Sequence, residues 1–142
     1  MTVPFDLESF VDEAGDAIIA AAPDGSILLW NAAAERIFGY TDKEALGQSL
    51  DLIIPERFRE RHWQGYRQVM FTGETRYGAN VLRVPAAHKD GRALSIAFTV
   101  ALVPSQTGSI EAIVAIVRDD TERWQEERAL RKRIAELEAG NK

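Results

Sequence analysis

The hydrophobic spacing changes character several times along the chain, and each change marks an element. Phe5, Phe10, Val11, Ala14 and Ile18 recur at near-helical spacing with Asp6, Glu8, Asp12 and Glu13 between them. This predicts a short amphipathic helix that Gly15-Asp16 interrupts. Ala17 to Ala22 and Ile27 to Trp30 are apolar runs too short for helices, and Pro23-Asp24-Gly25-Ser26 between them predicts a hairpin. Asn31 offers a side-chain oxygen to the free N–H groups of a helix over Ala32 to Phe38, which Gly39 closes. Thr41-Asp42-Lys43-Glu44 has the form of a capping box and opens a helix of one or two turns ending at Gly47. Leu50 to Ile54 is a short apolar piece closed by Pro55, and a longer helix is predicted from Glu56 to about Phe71, stopping at Thr72-Gly73.

Beyond Arg76 the period falls to two. Tyr77 to Ala87 and Arg92 to Val103 flank His88-Lys89-Asp90-Gly91, a strong hairpin signal. Leu94, Ile96, Phe98, Val100 and Leu102 alternate with smaller side chains, which puts the bulk on one face of the strand. Pro104 to Ser109 reads as a loop, and Ile110 to Val117 as a strand apolar enough to be central. Arg118-Asp119-Asp120-Thr121 ends the sheet, and a charged helix follows to about Ala139. Two strands, grouped helices and three further antiparallel strands make an α+β fold.

Composition narrows the function. The chain has 142 residues, enough for one domain plus a flanking segment, with 46% apolar and 27% charged residues and a net charge of -5. No basic face dominates, so nucleic acid is not an expected partner. The absence of cysteine excludes disulfides, thiolate metal sites and cysteine nucleophiles. No signal pattern and no apolar run of about 20 residues is present, which predicts a cytoplasmic protein without direct membrane contact. No Ser/His/Asp set or phosphate-cradling glycine loop stands out, so the expectation is that the chain is not an enzyme.

Four stretches carry a family resemblance: Trp30 to Tyr40, Leu46-Gly47 to Ile54-Pro55, Lys89-Asp90-Gly91-Arg92, and Val117-Arg118-Asp119-Asp120-Thr121. Together with the element order, they resemble the PAS sensory domain over essentially the whole chain. The resemblance implies a five-stranded antiparallel sheet with short helices on one face, preceded by a cap helix and followed by a signalling helix. The corresponding division is residues 1–15, 16–118 and 119–142. The last stretch is similar to the family's Asp-Ile-Thr junction, except that Asp120 stands where the family has an apolar residue. Without cysteine, the flavin-thioether and thioester-chromophore chemistries of some relatives are excluded.

His62 is the sharpest candidate residue. Advancing about 100° per residue along the helix places Phe58, Val69, His62, Tyr66, Met70 and Trp63 within roughly 140° of one another, on the stripe expected to face the sheet. A neutral imidazole in such a stripe calls for a hydrogen-bond partner or a metal. Pro55 to His62 resembles the proximal-histidine helix of haem-binding PAS oxygen sensors, which implies haem b with His62 on the iron and Arg57, Arg59 or Arg61 near the propionates. The implied pocket is Phe58, His62, Tyr66, Met70, Leu82, Ile96 and Phe98. Two departures stand against it: Tyr66 lies four residues after the histidine rather than three, and Leu82 occupies the place of the oxygen-binding arginine. Leu82 would make an apolar distal wall suited to CO or NO, and Arg83 should point to the other face of its strand. The alternatives are an unidentified small ligand, a non-covalent flavin, or a filled core with no ligand. His88, in a polar turn, reads as exposed surface, and Trp30 and Trp63 read as core.

In the tail, Leu130, Ile134 and Leu137 follow the spacing of a coiled coil over barely two heptads. The expectation is therefore a sensory and dimerisation module of a bacterial-type signalling protein. It would form a homodimer through its leading and exit helices and act on a linked or associated output domain. A haem gas sensor and a ligand-free protein-interaction domain are the alternatives.

Overall fold

The computed structural model describes residues 2–75 and 80–140. Helix α1 (Leu7–Glu13) leads into strands β1 (Ala17–Ala21) and β2 (Ile27–Trp30). Helices α2 (Ala32–Phe38) and α3 (Asp42–Ala45), a 3-10 turn at Leu50–Ile53 and helix α4 (Glu56–Thr72) follow. The chain then returns through β3 (Leu82–Ala87), β4 (Ala93–Pro104) and β5 (Ile110–Asp119) and leaves through α5 (Thr121–Gly140). The five strands form one antiparallel sheet in the order β2-β1-β5-β4-β3, so the last strand lies at the centre and joins the two hairpins. This is the α+β arrangement that the element order implies.

One face of the sheet builds the core. Ala17 and Ile19 of β1, Ile27 and Trp30 of β2, Ala86 of β3, Leu94 and Ile96 of β4 and Val117 of β5 are buried against Ala33, Ala34 and Phe38 of α2, Ala45 of α3 and Ile53. The period-two reading of β4 holds: Leu94 and Ile96 are buried and Phe98 packs against the same cluster. The small residues of α2 let it lie close to the sheet, while Phe38 fills the space between.

The element limits differ from the sequence reading in informative ways. β3 begins at Leu82 rather than Tyr77; Tyr77 to Ala79 lie outside the described residues, and Asn80 and Val81 are not in the strand. β5 continues through Arg118 to Asp119, because those two residues still pair with Ala97 and Ile96 of β4. β4 includes Pro104, opposite Ile110, where a bulge absorbs the residue that cannot donate. α3 ends at Ala45 rather than Gly47.

Asn31 holds three elements together. Its Oδ1 accepts from the backbone N–H of Ile18 at 2.9 Å and of Ala34 at 3.1 Å, and its Nδ2 donates to the carbonyls of Val11 and Asp16 at 2.8 and 3.1 Å. The capping role is confirmed, but the side chain also ties the end of α1 and the start of β1 to α2. A buried amide with both its acceptor and donor capacity used is a joint rather than a cap alone.

Candidate functional site

Helix α4 carries the candidate histidine, and it is held quite differently from α2 and α3. Tyr66 is its buried residue, while Phe58, His62, Trp63, Val69 and Met70 are half-buried. Neither Phe58 nor Met70 packs against the core cluster. The anchors lie at the β1–β2 turn and at the adjoining Leu50–Ile53 turn instead. Trp63 Nε1 donates to Asp51 Oδ1 at 2.7 Å, and the Tyr66 hydroxyl donates to the Ala22 carbonyl. The Trp63 ring lies on Gly25, where a Cβ would fall 2.2 Å from a ring carbon and where φ is +88°. Gly25 is thus required twice, by the turn and by the tryptophan above it.

His62 sits between these anchors. Its ring meets Trp63 edge-on at 4.6 Å and tilts toward Tyr66 at 5.7 Å. Its Nδ1 is buried and finds no hydrogen-bond partner among the described residues. Burial pushes the imidazole below its ordinary pKa, with the Asp51 carboxylate opposing in part. A neutral ring with a buried, unsatisfied nitrogen is a group that gains from a donor or a metal ion. For Tyr66, burial is the larger cause and the Asp24 carboxylate the lesser in pushing the hydroxyl up to about 12, which keeps it a donor to Ala22.

The other expected site residues lie on the strands. Leu82 and Phe98 are cross-strand partners, and both share the core-facing side with buried Ile96. Arg83 points to the opposite face, as expected. The seven candidates therefore form two groups, Phe58, His62, Tyr66 and Met70 on α4 and Leu82, Ile96 and Phe98 on the sheet, which one buried cluster does not unite. Among the arginines, Arg59 donates to the carbonyls of Ile54 and Asp51 at 3.0 and 3.3 Å, and Arg57 lies over the Phe58 ring at 4.7 Å. Arg61 is exposed. The donor chemistry of His62 fits an iron ligand, and Leu82, Ile96 and Phe98 fit an apolar wall.

His88 corrects its sequence reading. Its side chain is only 13% exposed, and the ring covers Gly39, where a Cβ would fall 2.5 Å from Cε1. Lys89 donates its backbone N–H to the Phe38 carbonyl at 2.9 Å, and its ammonium meets Glu44. The β3–β4 hairpin is thereby fastened to α2 and α3, a tertiary contact that local turn chemistry does not announce.

At the other end of the sheet, the exit helix is knitted to β4. Asp120 N–H donates to the Ser95 carbonyl at 2.8 Å, and the Ser95 N–H donates to Thr121 Oγ1 at 3.0 Å. Asp119 Oδ1 accepts from the Thr121 N–H and hydroxyl at 3.0 and 2.6 Å. Ser95 lies between the buried Leu94 and Ile96. No residue of α5 is buried, and Leu130, Ile134 and Leu137 are all more than half exposed. Among the described residues, no helix is long and apolar enough to cross a membrane.

Comparison with known proteins agrees with this geometry. A family model described as the PAS fold matches residues 6–119. An uncharacterized protein of Azorhizobium caulinodans is 33% identical over 123 residues, covering 86% of this chain and 16% of that protein. The sensor protein FixL of Bradyrhizobium diazoefficiens is 29% identical over 131 residues, covering 92% of this chain and 26% of FixL. The oxygen sensor protein DosP of Escherichia coli is 28% identical over 93 residues, covering 66% of this chain and 11% of DosP. The chain thus spans about a quarter or less of these relatives' lengths. The crystal structure of a PAS domain from Colwellia psychrerythraea superposes with a TM-score of 0.71 at 22% identity, covering 82% of this chain and 95% of that one.

Proposed function

The chain belongs to the PAS family, and from that premise we propose that it is a non-catalytic sensory module that passes the state of its core to an output domain through α5. The observation that carries this reading is the junction at Ser95: the first residues of the exit helix are hydrogen-bonded to the strand residue between buried Leu94 and Ile96. Displacement of β4 by an occupant of the core-facing side therefore acts on the base of α5 without an intermediary. The similarity to two sensor proteins supports the same role. The test is hydrogen exchange in the full chain. Leu82→Trp, which adds bulk on the core-facing side, should change the protection of the Trp124 amide, bonded to the Asp120 carbonyl at 3.0 Å. Unchanged exchange there would count against transmission.

A second reading, haem b held by His62, is favoured by the buried, unpartnered Nδ1 and by the resemblance to oxygen sensors. The bound group would supply a gas-binding iron. His62 would hold it, and Leu82, Ile96 and Phe98 would supply apolar surface that disfavours water and polar donors around it. Haemin added to the chain should then give a Soret band at about 400 nm that His62→Ala abolishes. A spectrum of free haemin would leave a small organic ligand or a ligand-free interaction role.

The exposed faces of the two terminal helices favour a homodimer. Leu130, Ile134 and Leu137 form one apolar line, and Phe5 and Phe10 form an exposed pair 6.0 Å apart on the leading segment. Deleting residues 122–142 should weaken the dimer and leave the domain folded. A monomer at high micromolar concentration in sedimentation equilibrium would overturn this assembly.

A further inference from the structure

We infer that Arg83 and Asp120 form a tether that fixes the base of the exit helix to edge strand β3. The inference rests on the reading of α5 as the output path and adds a second attachment to it. Asp120 stands where the PAS resemblance leads one to expect an apolar residue. Its carboxylate is only 15% exposed, and Arg83 Nε lies 3.6 Å from its Oδ2. A carboxylate so shielded is unfavourable unless a cation or donor meets it.

The sheet register explains why that cation is Arg83. On the outer face Arg83 pairs with Ala97, and Ala97 pairs with Arg118. Arg118 is already engaged, because its guanidinium forks onto both carboxylate oxygens of Asp16 at 3.0 and 3.1 Å. Ala97 between the two arginines is small, which leaves Arg83 room to lie across β4 toward Asp120. Arg123, in the first turn of α5, faces Glu127 at 3.3 Å. Each guanidinium thus has its own carboxylate, and Asp120 falls to the one on β3.

The backbone of Asp120 gives the pair its leverage. Its N–H closes the sheet on Ser95, and its carbonyl accepts from Trp124 in the first turn of α5. Ser95 and Thr121 hold the helix to β4, and Arg83 holds the same residue to β3. Leu82, next to Arg83 and on the opposite, core-facing side, is the cross-strand partner of Phe98. A shift of β3 caused from the core-facing side therefore reaches α5 through Arg83 as well as through Ser95. Arg83 acts here as a positioning residue and touches no ligand.

Hydrogen exchange in the full 142-residue chain tests the tether. Arg83→Gln should speed exchange of the Trp124 amide about 3–5-fold, the range of a partly exposed ion pair, with β1 and β5 amides unchanged. Arg83→Lys or the reversed pair Arg83→Asp with Asp120→Arg should recover protection. Unchanged exchange in Arg83→Gln overturns the tether, as does acceleration shared equally by β1 and β5, or recovery in neither rescue variant. Leu82→Trp separates this from the output reading. Should its effect on Trp124 be absent while that of Arg83→Gln is present, the tether stands and transmission fails. Should its effect be the same with and without Arg83, transmission stands and the tether's part in it fails.

Discussion

Helices α2 and α4 are attached to the rest of the domain by different physics. α2 is sealed into the core by Ala33, Ala34 and Phe38, all essentially inaccessible, and its two ends are secured by Asn31 and by the hairpin carrying His88 and Lys89. α4 buries Tyr66 and otherwise depends on polar and aromatic anchors at one place, the β1–β2 turn with Asp51. Removing apolar area from a sealed element opens a cavity, whereas an element held by a few directional contacts can shift without one. The sheet with α2 and α3 is therefore the frame, and α4 with His62 is the adjustable side.

The largest effect should come from the frame. Phe38→Ala is expected to cost about 3–5 kcal/mol in chemical denaturation, against about 1 kcal/mol for Phe58→Ala on α4. Half-buried Phe98 should fall between them. Equal losses at Phe38 and Phe58 would erase the contrast between the helices.

Asn31→Ala comes next. A cap alone is worth about 1 kcal/mol, but this side chain satisfies two backbone N–H groups and two carbonyls, so about 2–4 kcal/mol is expected. A measured loss near 1 kcal/mol would mean that α1 and β1 do not depend on it.

Gly25→Ala should destabilise by at least about 1 kcal/mol, since the residue has positive φ and the new methyl group meets the Trp63 ring. The fingerprint matters more than the size: indole fluorescence and α4 amides should respond while α2 amides do not. A response spread evenly over both helices would show that α4 belongs to the frame.

The smallest effect is that of pH through His62. Its folded pKa is lowered, chiefly by burial, so the unfolded chain binds the proton more readily. The contribution of the neutral ring is complete above the unfolded value of about 6.5 and is lost as pH falls below it toward the lower folded pKa. NMR titration should place the His62 imidazole below His in a model peptide, and His62→Phe should remove that part of the acid sensitivity. A midpoint at or above 6.5 would show the ring solvated or charged.

How much of this was readable beforehand depends on the range of the interaction. The Thr41–Glu44 capping box, the Asn31 cap, the alternation along β4 and the hairpin at Asp90-Gly91 are local, and the sequence displays them because residues a few positions apart suffice to form them. The helical stripe placed His62 on the inward side of α4 for the same reason. The stripe did not show where α4 is anchored: Trp63 meets Asp51 and Gly25, and Tyr66 meets Ala22, contacts that span 12 to 44 positions. His88 looked like a surface turn because its partner, Gly39, arrives from another element. Asp120 was visible as an unusual residue at the junction, but its pairing with Arg83 depended on the register of β3, β4 and β5 and on Asp16 having already taken Arg118. Periodicity and capping follow from short-range sterics and hydrogen bonding, so the sequence alone determined the elements and their inward faces. Which charged, aromatic and imidazole groups meet depended on how those faces closed over the sheet, and only the tertiary structure decided that.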